Sequence, residues 1–280
     1  MLKERRTLQI GVGFGNQPIP LLTPSSKQVD RFRDFRVPRP LKQRYSGAVT
    51  LCIAEKCQHA GEPQVVCCFD AQVGDDYSAS ESAYKFKQLS NQAVAMYSGP
   101  LILAGDLISD YEDALRDEAL TRQAYRDRLW VPMKSHLDKM EKSAEFLPGQ
   151  DQPQLLIVLI LEKEFRLVTV DEHGISESPF FAAIGSGSDS AIAMLRWRRA
   201  DALTPMNTAI YYAYEAKRLG EVSPHVGKFT YVRIVKPILD WTIGNTIVRP
   251  TGIAKLAEAF TLFGPQPIEP FWHLSDEDMV

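Results

Sequence analysis

The chain has 280 residues, of which 45% are hydrophobic and 24% are charged, so it can bury a core without disulfide bonds. Its net charge of -3 provides no overall attraction to nucleic acid or to membranes. The longest apolar run, residues 155–161, is far shorter than a membrane span, and the first six residues lack the apolar stretch of a secretion signal. These features predict a cytoplasmic protein that does not contact membranes.

Residues 1–47 differ in composition from the rest of the chain. Five prolines interrupt any long element, and the segment 31–36 is basic and aromatic through Arg31, Arg33 and Arg36. Because the whole chain carries no net positive charge, a solvated or partner-binding arm is favoured over contact with nucleic acid. The sequence therefore predicts an N-terminal arm or leader.

The four cysteines are close together in the sequence, at Cys52, Cys57, Cys67 and Cys68. Adjacent residues of a strand point to opposite faces, so Cys67 and Cys68 cannot easily bind one tetrahedral zinc ion. Buried structural thiols in a reducing compartment are favoured over a zinc site. We predict no metal and no cofactor.

From residue 48 onward, strand patterns alternate with helix patterns. Apolar runs at residues 49–54 and 64–69 predict two strands joined by a polar loop at 55–63. Periodicity predicts a helical region over 110–146, interrupted or divided at Pro132. The other predicted strands are 93–97, 101–103, 155–161, 165–170, 180–184 and 229–235, and the other helices are 188–199, 205–219 and 251–263. Strand runs alternating with helix pairs indicate an α+β fold, in which two antiparallel sheets have helices packed outside them.

Six segments, in this order, resemble the proteasome subunits and their bacterial two-ring relative. They are residues 48–53, 65–70, 84–89, 181–188, 231–235 and 253–258. The resemblance covers about residues 48–264 and implies a four-layer αββα N-terminal-nucleophile (Ntn) hydrolase sandwich. The predicted organisation is an arm at 1–47, a proteasome-like domain at 48–264 and a C-terminal tail at 265–280.

The resemblance also implies a catalytic apparatus. In this family a threonine, exposed by self-cleavage of a leader, attacks a peptide carbonyl and uses its own amine as the base. Position by position, Asp70 resembles the acid, Lys85 the lysine and Ser186 the supporting serine. Gly99 is the candidate for the oxyanion glycine, and Gly105 is the alternative.

The nucleophile position departs from the family pattern. Ala48 occupies it, directly after Gly47, and alanine has no hydroxyl. Thr50 points to the same face of the strand but lies roughly 6–7 Å further along, which predicts an ordinary strand residue displaced from the site. The acid expected near Ser223 is also missing. An alternative interpretation of Asp70 and Lys85 is therefore a structural ion pair without a catalytic role.

Three functions follow from these residues. The leading prediction is a catalytically silent subunit in a self-assembled ring of identical or related chains, with an unfoldase or a client protein as a candidate partner. The first alternative is a threonine-type peptidase that is activated by leader removal and uses Thr50. The second alternative is an Ntn-fold protein that binds a ligand or RNA.

Overall fold

The computed structural model describes residues 50–70, 73–74, 79–80, 85–99, 101–116, 121–122, 124–142, 152–223, 226–264 and 275–279. The chain divides into two units, Met1–Arg44 and Tyr45–Val280, and all the described residues belong to the second. Among these residues no helix is both long and apolar enough to cross a membrane. The N-terminal arm and most of the C-terminal tail lie outside the described residues, so the domain limits at 47 and 264 stay predictions.

The described chain contains twelve strands and five α-helices. The strands are β1 (Leu51–His59), β2 (Glu62–Asp70), β3 (Val73–Gly74), β4 (Ala79–Ser80), β5 (Phe86–Ser90), β6 (Ala93–Ser98), β7 (Gln154–Leu161), β8 (Glu164–Asp171), β9 (Gly174–Ser178), β10 (Phe181–Gly185), β11 (Thr230–Pro237) and β12 (Ile243–Ile247). The helices are α1 (Leu101–Leu115), α2 (Tyr125–Lys142), α3 (Ser188–Trp197), α4 (Met206–Gly220) and α5 (Pro250–Phe263).

The first large sheet has the strand order β10-β1-β2-β11-β12, and all its pairings are antiparallel. The predicted loop at 55–63 is wrong, because β1 and β2 continue through it to a two-residue turn. That turn consists of Ala60 and Gly61, with φ values of 51° and 85°. Two consecutive positive φ values are typical of the tight turn whose twist matches a β-hairpin.

The second large sheet has the order β5-β6-β7-β8-β9 and is also antiparallel. The predicted strand at 101–103 is wrong, since α1 begins at Leu101 and β6 instead pairs with β5. Pro132 does not separate two helices but lies buried inside α2. The break in the predicted helical region lies instead in the segment that connects α1 and α2.

Three buried clusters define the layers of the fold. One lies between the first sheet and α3, α4 and α5, and a second lies between the second sheet and α1 and α2. The third joins the inner faces of the two sheets. Strand β7 contributes to two of them, with Leu155, Ile157 and Leu159 facing the helices and Leu156 and Val158 facing the other sheet. The structure confirms the predicted α+β fold with a four-layer αββα sandwich.

Candidate functional site

Several strand ends meet at one end of the sandwich. Strand β1 runs antiparallel to both β2 and β10, so its first residues lie beside Asp70 at the end of β2 and Gly185 at the end of β10. In the other sheet, Lys85 directly precedes β5, and β5 pairs antiparallel with β6, which ends at Ser98. The topology thus gathers candidate residues from the ends of five strands in two sheets.

The Lys85 ammonium lies between a carboxylate and a hydroxyl. Its Nζ is 2.6 Å from Asp70 Oδ1, and it also donates to Thr50 Oγ1. All three residues are at most 2% exposed. Asp70 Oδ2 accepts a hydrogen bond of 2.7 Å from the Gly227 backbone N–H. The carboxylate is therefore bonded through both oxygens, and the ammonium is aimed at the hydroxyl.

Two opposing effects act on the Asp70 carboxyl. Burial is the largest effect and raises the pKa of Asp70 above its usual value, while the charge and hydrogen bond of Lys85 and the N–H of Gly227 act to lower it and offset part of that rise. The partners of Asp70 therefore favour the ionised form that holds Lys85. A fixed ammonium beside Thr50 Oγ1 in turn stabilises the alkoxide that forms when the hydroxyl loses its proton.

This geometry corrects the prediction for Thr50. The sequence predicts that Thr50 is displaced along the strand from the nucleophile position. In the structure, however, Thr50 Oγ1 is in direct contact with Lys85 Nζ. The strand register that placed Thr50 two residues beyond the site is therefore wrong. Ala48 lies outside the described residues.

The backbone around Thr50 is held by the turn after β10. The Ser186 N–H donates to the Thr50 carbonyl at 3.1 Å, and the Gly185 N–H donates to Gln154 Oε1 at 3.0 Å. Gly185 has a φ of +96°, and a Cβ added there would lie 1.8 Å from the Thr50 carbonyl oxygen. Only glycine fits this close approach. Ser186 thus contacts Thr50 through its backbone, while its side chain is exposed.

The sequence of the turn that follows Ser186 is also typical of a helix start, for which Ser188 or Asp189 would be the capping residue. In the structure the N-cap residue of α3 is Gly187, and no side chain of the described residues caps the helix. A Cβ added to Gly187 would lie 2.9 Å from the Gly220 carbonyl oxygen. The three residues 185–187 therefore serve close backbone contacts, to Thr50 on one side and to the end of α4 on the other.

The two candidate oxyanion glycines differ in position. Gly99 follows β6 at the same sheet end as Lys85, has a φ of +114°, and would place an added Cβ 2.9 Å from Pro153 Cα. Gly105 lies inside α1, where the regular helix bonding uses its N–H. Gly99 is therefore the glycine that remains a candidate for stabilising an oxyanion.

The cysteines contribute no nucleophile to this end of the molecule. All four are buried free thiols, and burial raises the pKa of each, that of Cys68 to about 12. A thiol with a raised pKa stays protonated and unreactive at neutral pH. Within the described ranges, no group of three or more His, Cys, Asp or Glu residues is placed to hold a metal ion.

Sequence reasoning missed three residues that contact the site, Gln154, Gly185 and Gly227, and it missed the buried Lys217, whose ammonium donates to the Gly227 carbonyl. The first three act through the backbone or hold a backbone group, and such contacts leave no signature in residue type. Lys217 carried a usable signal, since it shares a helix face with Ala213 and Gly220, which are buried. A charged residue on an apolar helix face is uncommon unless it is paired.

The sequence matches no protein-family model and no curated protein. Among solved structures, the chain is similar to eukaryotic HslV from Trypanosoma brucei, with 16% identity and a TM-score of 0.48. The match covers 67% of this chain and 99% of that one. Similarity at this level does not transfer function, and the proposals below rest on the fold and on the contacts of Thr50.

Proposed function

We propose that this chain is a proteasome-type subunit that hydrolyses peptide bonds with Thr50 as an N-terminal nucleophile. The single observation that supports this function is the placement of Thr50 Oγ1 against the Lys85 ammonium, which Asp70 holds at 2.6 Å. The αββα sandwich and the sequence resemblance favour the same class. The proposal departs from a silent subunit because the hydroxyl that contacts Lys85 belongs to Thr50, whereas Ala48 has no hydroxyl.

Each residue has a distinct role in the proposed reaction. Thr50 Oγ1 attacks the substrate carbonyl while the Thr50 amine, once free, accepts the hydroxyl proton. Lys85 stabilises the developing alkoxide, and Asp70 holds Lys85 charged and oriented. The Gly99 N–H is the candidate donor to the oxyanion. The substrate C–N bond then breaks, its nitrogen leaves as an amine with the proton that the Thr50 amine had accepted, and an ester to Thr50 remains. Water hydrolyses this ester, which releases a carboxylate product and restores the hydroxyl.

The amine of Thr50 must first be released, because Val49 precedes it in the chain. The same hydroxyl can perform this step by attacking the Val49 carbonyl, so that an ester forms as the bond from Val49 to the Thr50 nitrogen breaks. Water then cleaves the ester and leaves a carboxylate on residue 49 and a free amine on Thr50. Residues 1–49 would thereby act as a leader.

Assembly with further copies of the chain, or with related subunits, is part of this proposal. Large apolar side chains are exposed on the outer helices, at Val131 on α2, Trp197 on α3 and Leu262 on α5. Single exposed apolar side chains are common on any protein surface, so the assembly is inferred from the resemblance to proteasome subunits, and closed symmetric assemblies are the usual form of self-association. A cytoplasmic location and an unfoldase or client partner remain predictions.

A silent subunit is the second candidate, and one chemical fact favours it. In the intact chain the Thr50 nitrogen belongs to an amide, which cannot act as a base. If residues 1–49 stay attached, the contact between Lys85 and Thr50 is structural and the chain functions through assembly alone.

The mass of the intact protein separates the two candidates. We expect the full-length chain to lose residues 1–49 on incubation, and we expect Thr50→Ala to keep its full mass. Thr230→Ala is the matched control, because Thr230 pairs with Asp70 across the sheet but is not the hydroxyl that Lys85 contacts. A wild-type protein that retains its full mass and cleaves no peptide favours the silent subunit.

A further inference from the structure

Lys217 is a buried lysine in the last turn of α4. Its ammonium donates to a carboxylate oxygen of Glu221, to the Gly227 carbonyl at 2.6 Å and to the Lys228 carbonyl at 3.0 Å. An ammonium has three donors, and here each has an acceptor. Burial lowers the pKa of Lys217, while the hydrogen bond and charge of Glu221 act to raise it. Burial is the largest of these effects, so the pKa of Lys217 lies below its usual value and the acceptor set offsets only part of the cost of burying the charge.

Gly227 connects this lysine with the candidate site. Its carbonyl accepts from Lys217, and its N–H donates to Asp70 Oδ2 at 2.7 Å. Asp70 in turn holds Lys85, which contacts Thr50. A glycine has the widest backbone freedom of any residue, so its N–H points at a fixed atom only when its neighbours are held. The contact with Lys217 restrains Gly227 on the side away from Asp70.

We propose that Lys217 is a positioning residue for the hydrolysis assigned to Thr50: it fixes the Gly227 backbone, which orients Asp70 and, through Asp70, the Lys85 ammonium. This inference rests on the proposed function. Lys217 touches neither the nucleophile nor the substrate. Its effect reaches the Lys85 ammonium through the hydrogen bonds of Gly227 and Asp70.

The charge of Lys217 acts on the same carboxylate. It is one of the effects that lower the pKa of Asp70, together with the larger effects of Lys85 and Gly227. Removing it therefore raises the pKa of Asp70, both directly and because the Gly227 N–H is less firmly held. Because loss of the charge shifts this pKa whether or not Gly227 is held, amide exchange at Gly227 is the measurement specific to a positioning role.

The test compares Lys217→Met, which removes the charge and all three donors, with Arg218→Met. Arg218 bonds the same Glu221 carboxylate but is partly exposed, so it is the matched control. Lys217→Gln, which keeps a donor for one carbonyl, is the second variant if the methionine variant does not fold. The full-length chain is expressed and incubated. Amide hydrogen exchange at Gly227 and the pH profile of kcat are then measured on the protein that results.

For Lys217→Met we expect faster exchange at Gly227, and a loss of kcat on the order of 100-fold with KM little changed, since small misplacements of reacting groups have effects of that size. The acidic limb of the pH profile should move to higher pH, and Arg218→Met should leave both measurements unchanged. Lys217→Gln should change both in the same direction by a smaller factor. Unchanged exchange at Gly227 in a folded Lys217 variant would overturn the inference, whatever the pH profile shows.

Failure of the proposed function can be distinguished from failure of this inference. If the wild-type protein hydrolyses no peptide, the function assigned to Thr50 is what fails. Exchange at Gly227 then decides alone whether Lys217 positions the Asp70 contact: faster exchange in the variant supports it, and wild-type exchange overturns it.

Discussion

Asp70 and Gly227 are separated by 157 positions in the chain, yet they are joined by a hydrogen bond of 2.7 Å between a buried carboxylate and a backbone N–H. Asp70 ends β2, and Gly227 lies just before β11, the strand that pairs with β2. The bond is therefore set by the register of the first sheet. It leaves the other carboxylate oxygen to hold Lys85, on which the proposed reaction depends.

The ion pair between Asp70 and Lys85 should be required for both stability and hydrolysis. Asp70→Asn keeps the side-chain shape but leaves a buried ammonium without its counter-ion, which typically costs about 3–5 kcal/mol. Glu112→Gln is the control, because it breaks the exposed pair with Lys87, which is worth about 0–1 kcal/mol. Chemical denaturation measures both variants. Equal stabilities for the two would show that the Asp70 pair is not the buried interaction described.

The close approach of Gly185 to Thr50 should make Gly185→Ala far more damaging than a comparable change elsewhere. Gly174 also has a positive φ, of +133°, but a Cβ added there meets no atom of the described residues within 4 Å. Gly174→Ala should therefore show only the backbone penalty of about 1–3 kcal/mol. Gly185→Ala should lose more stability and also hydrolysis. Thermal unfolding compares the two variants, and similar losses would contradict the tight contact with the Thr50 carbonyl.

Glu55 predicts a pH dependence that is independent of the candidate site. It is fully buried on β1, and neither carboxylate oxygen has a hydrogen-bond partner among the described residues. Burial, followed by the nearby charge of Asp201, raises its pKa well above 4.5. The folded state thus keeps the proton that the unfolded state releases above about pH 4.5. Stability must fall as the pH rises above that value, by at most about 1.4 kcal/mol per pH unit from this group.

Glu55→Gln removes the titrating group, so its free energy of unfolding should fall less steeply with pH than that of the wild type. Denaturant unfolding at several values between pH 5 and pH 8 measures the two slopes. Glu62→Gln on the exposed end of β2 serves as the control and should retain the wild-type slope. Parallel slopes for the wild type and Glu55→Gln would show that Glu55 is ionised in the folded protein.

The parts of the fold that the sequence predicts are those with a strong apolar pattern. Strands β7 and β8 and helices α3, α4 and α5 fall close to their predicted limits. Strands β5, β9 and β12 are not predicted, and each is an edge strand of its sheet. An edge strand is held by one neighbour and is partly exposed, so its sequence carries little alternation.

The residues of the candidate site also differ in how far the sequence predicts them. Asp70 and Lys85 follow from the resemblance because their residue types are specific to their chemistry. The position of Thr50 could not be predicted, because a register error of two residues preserves which face a side chain occupies. Gly227 could not be predicted from the sequence, because it contributes only a backbone N–H to the site.

The most direct measurement is covalent capture of the nucleophile by an acylating β-lactone, followed by peptide mass spectrometry. The account predicts one acyl adduct, on a peptide that begins at Thr50, and its absence in Thr50→Ala. It also predicts that Thr230→Ala is labelled like the wild type. An adduct on another residue, or an unlabelled protein that still carries residues 1–49, would contradict the assignment of Thr50.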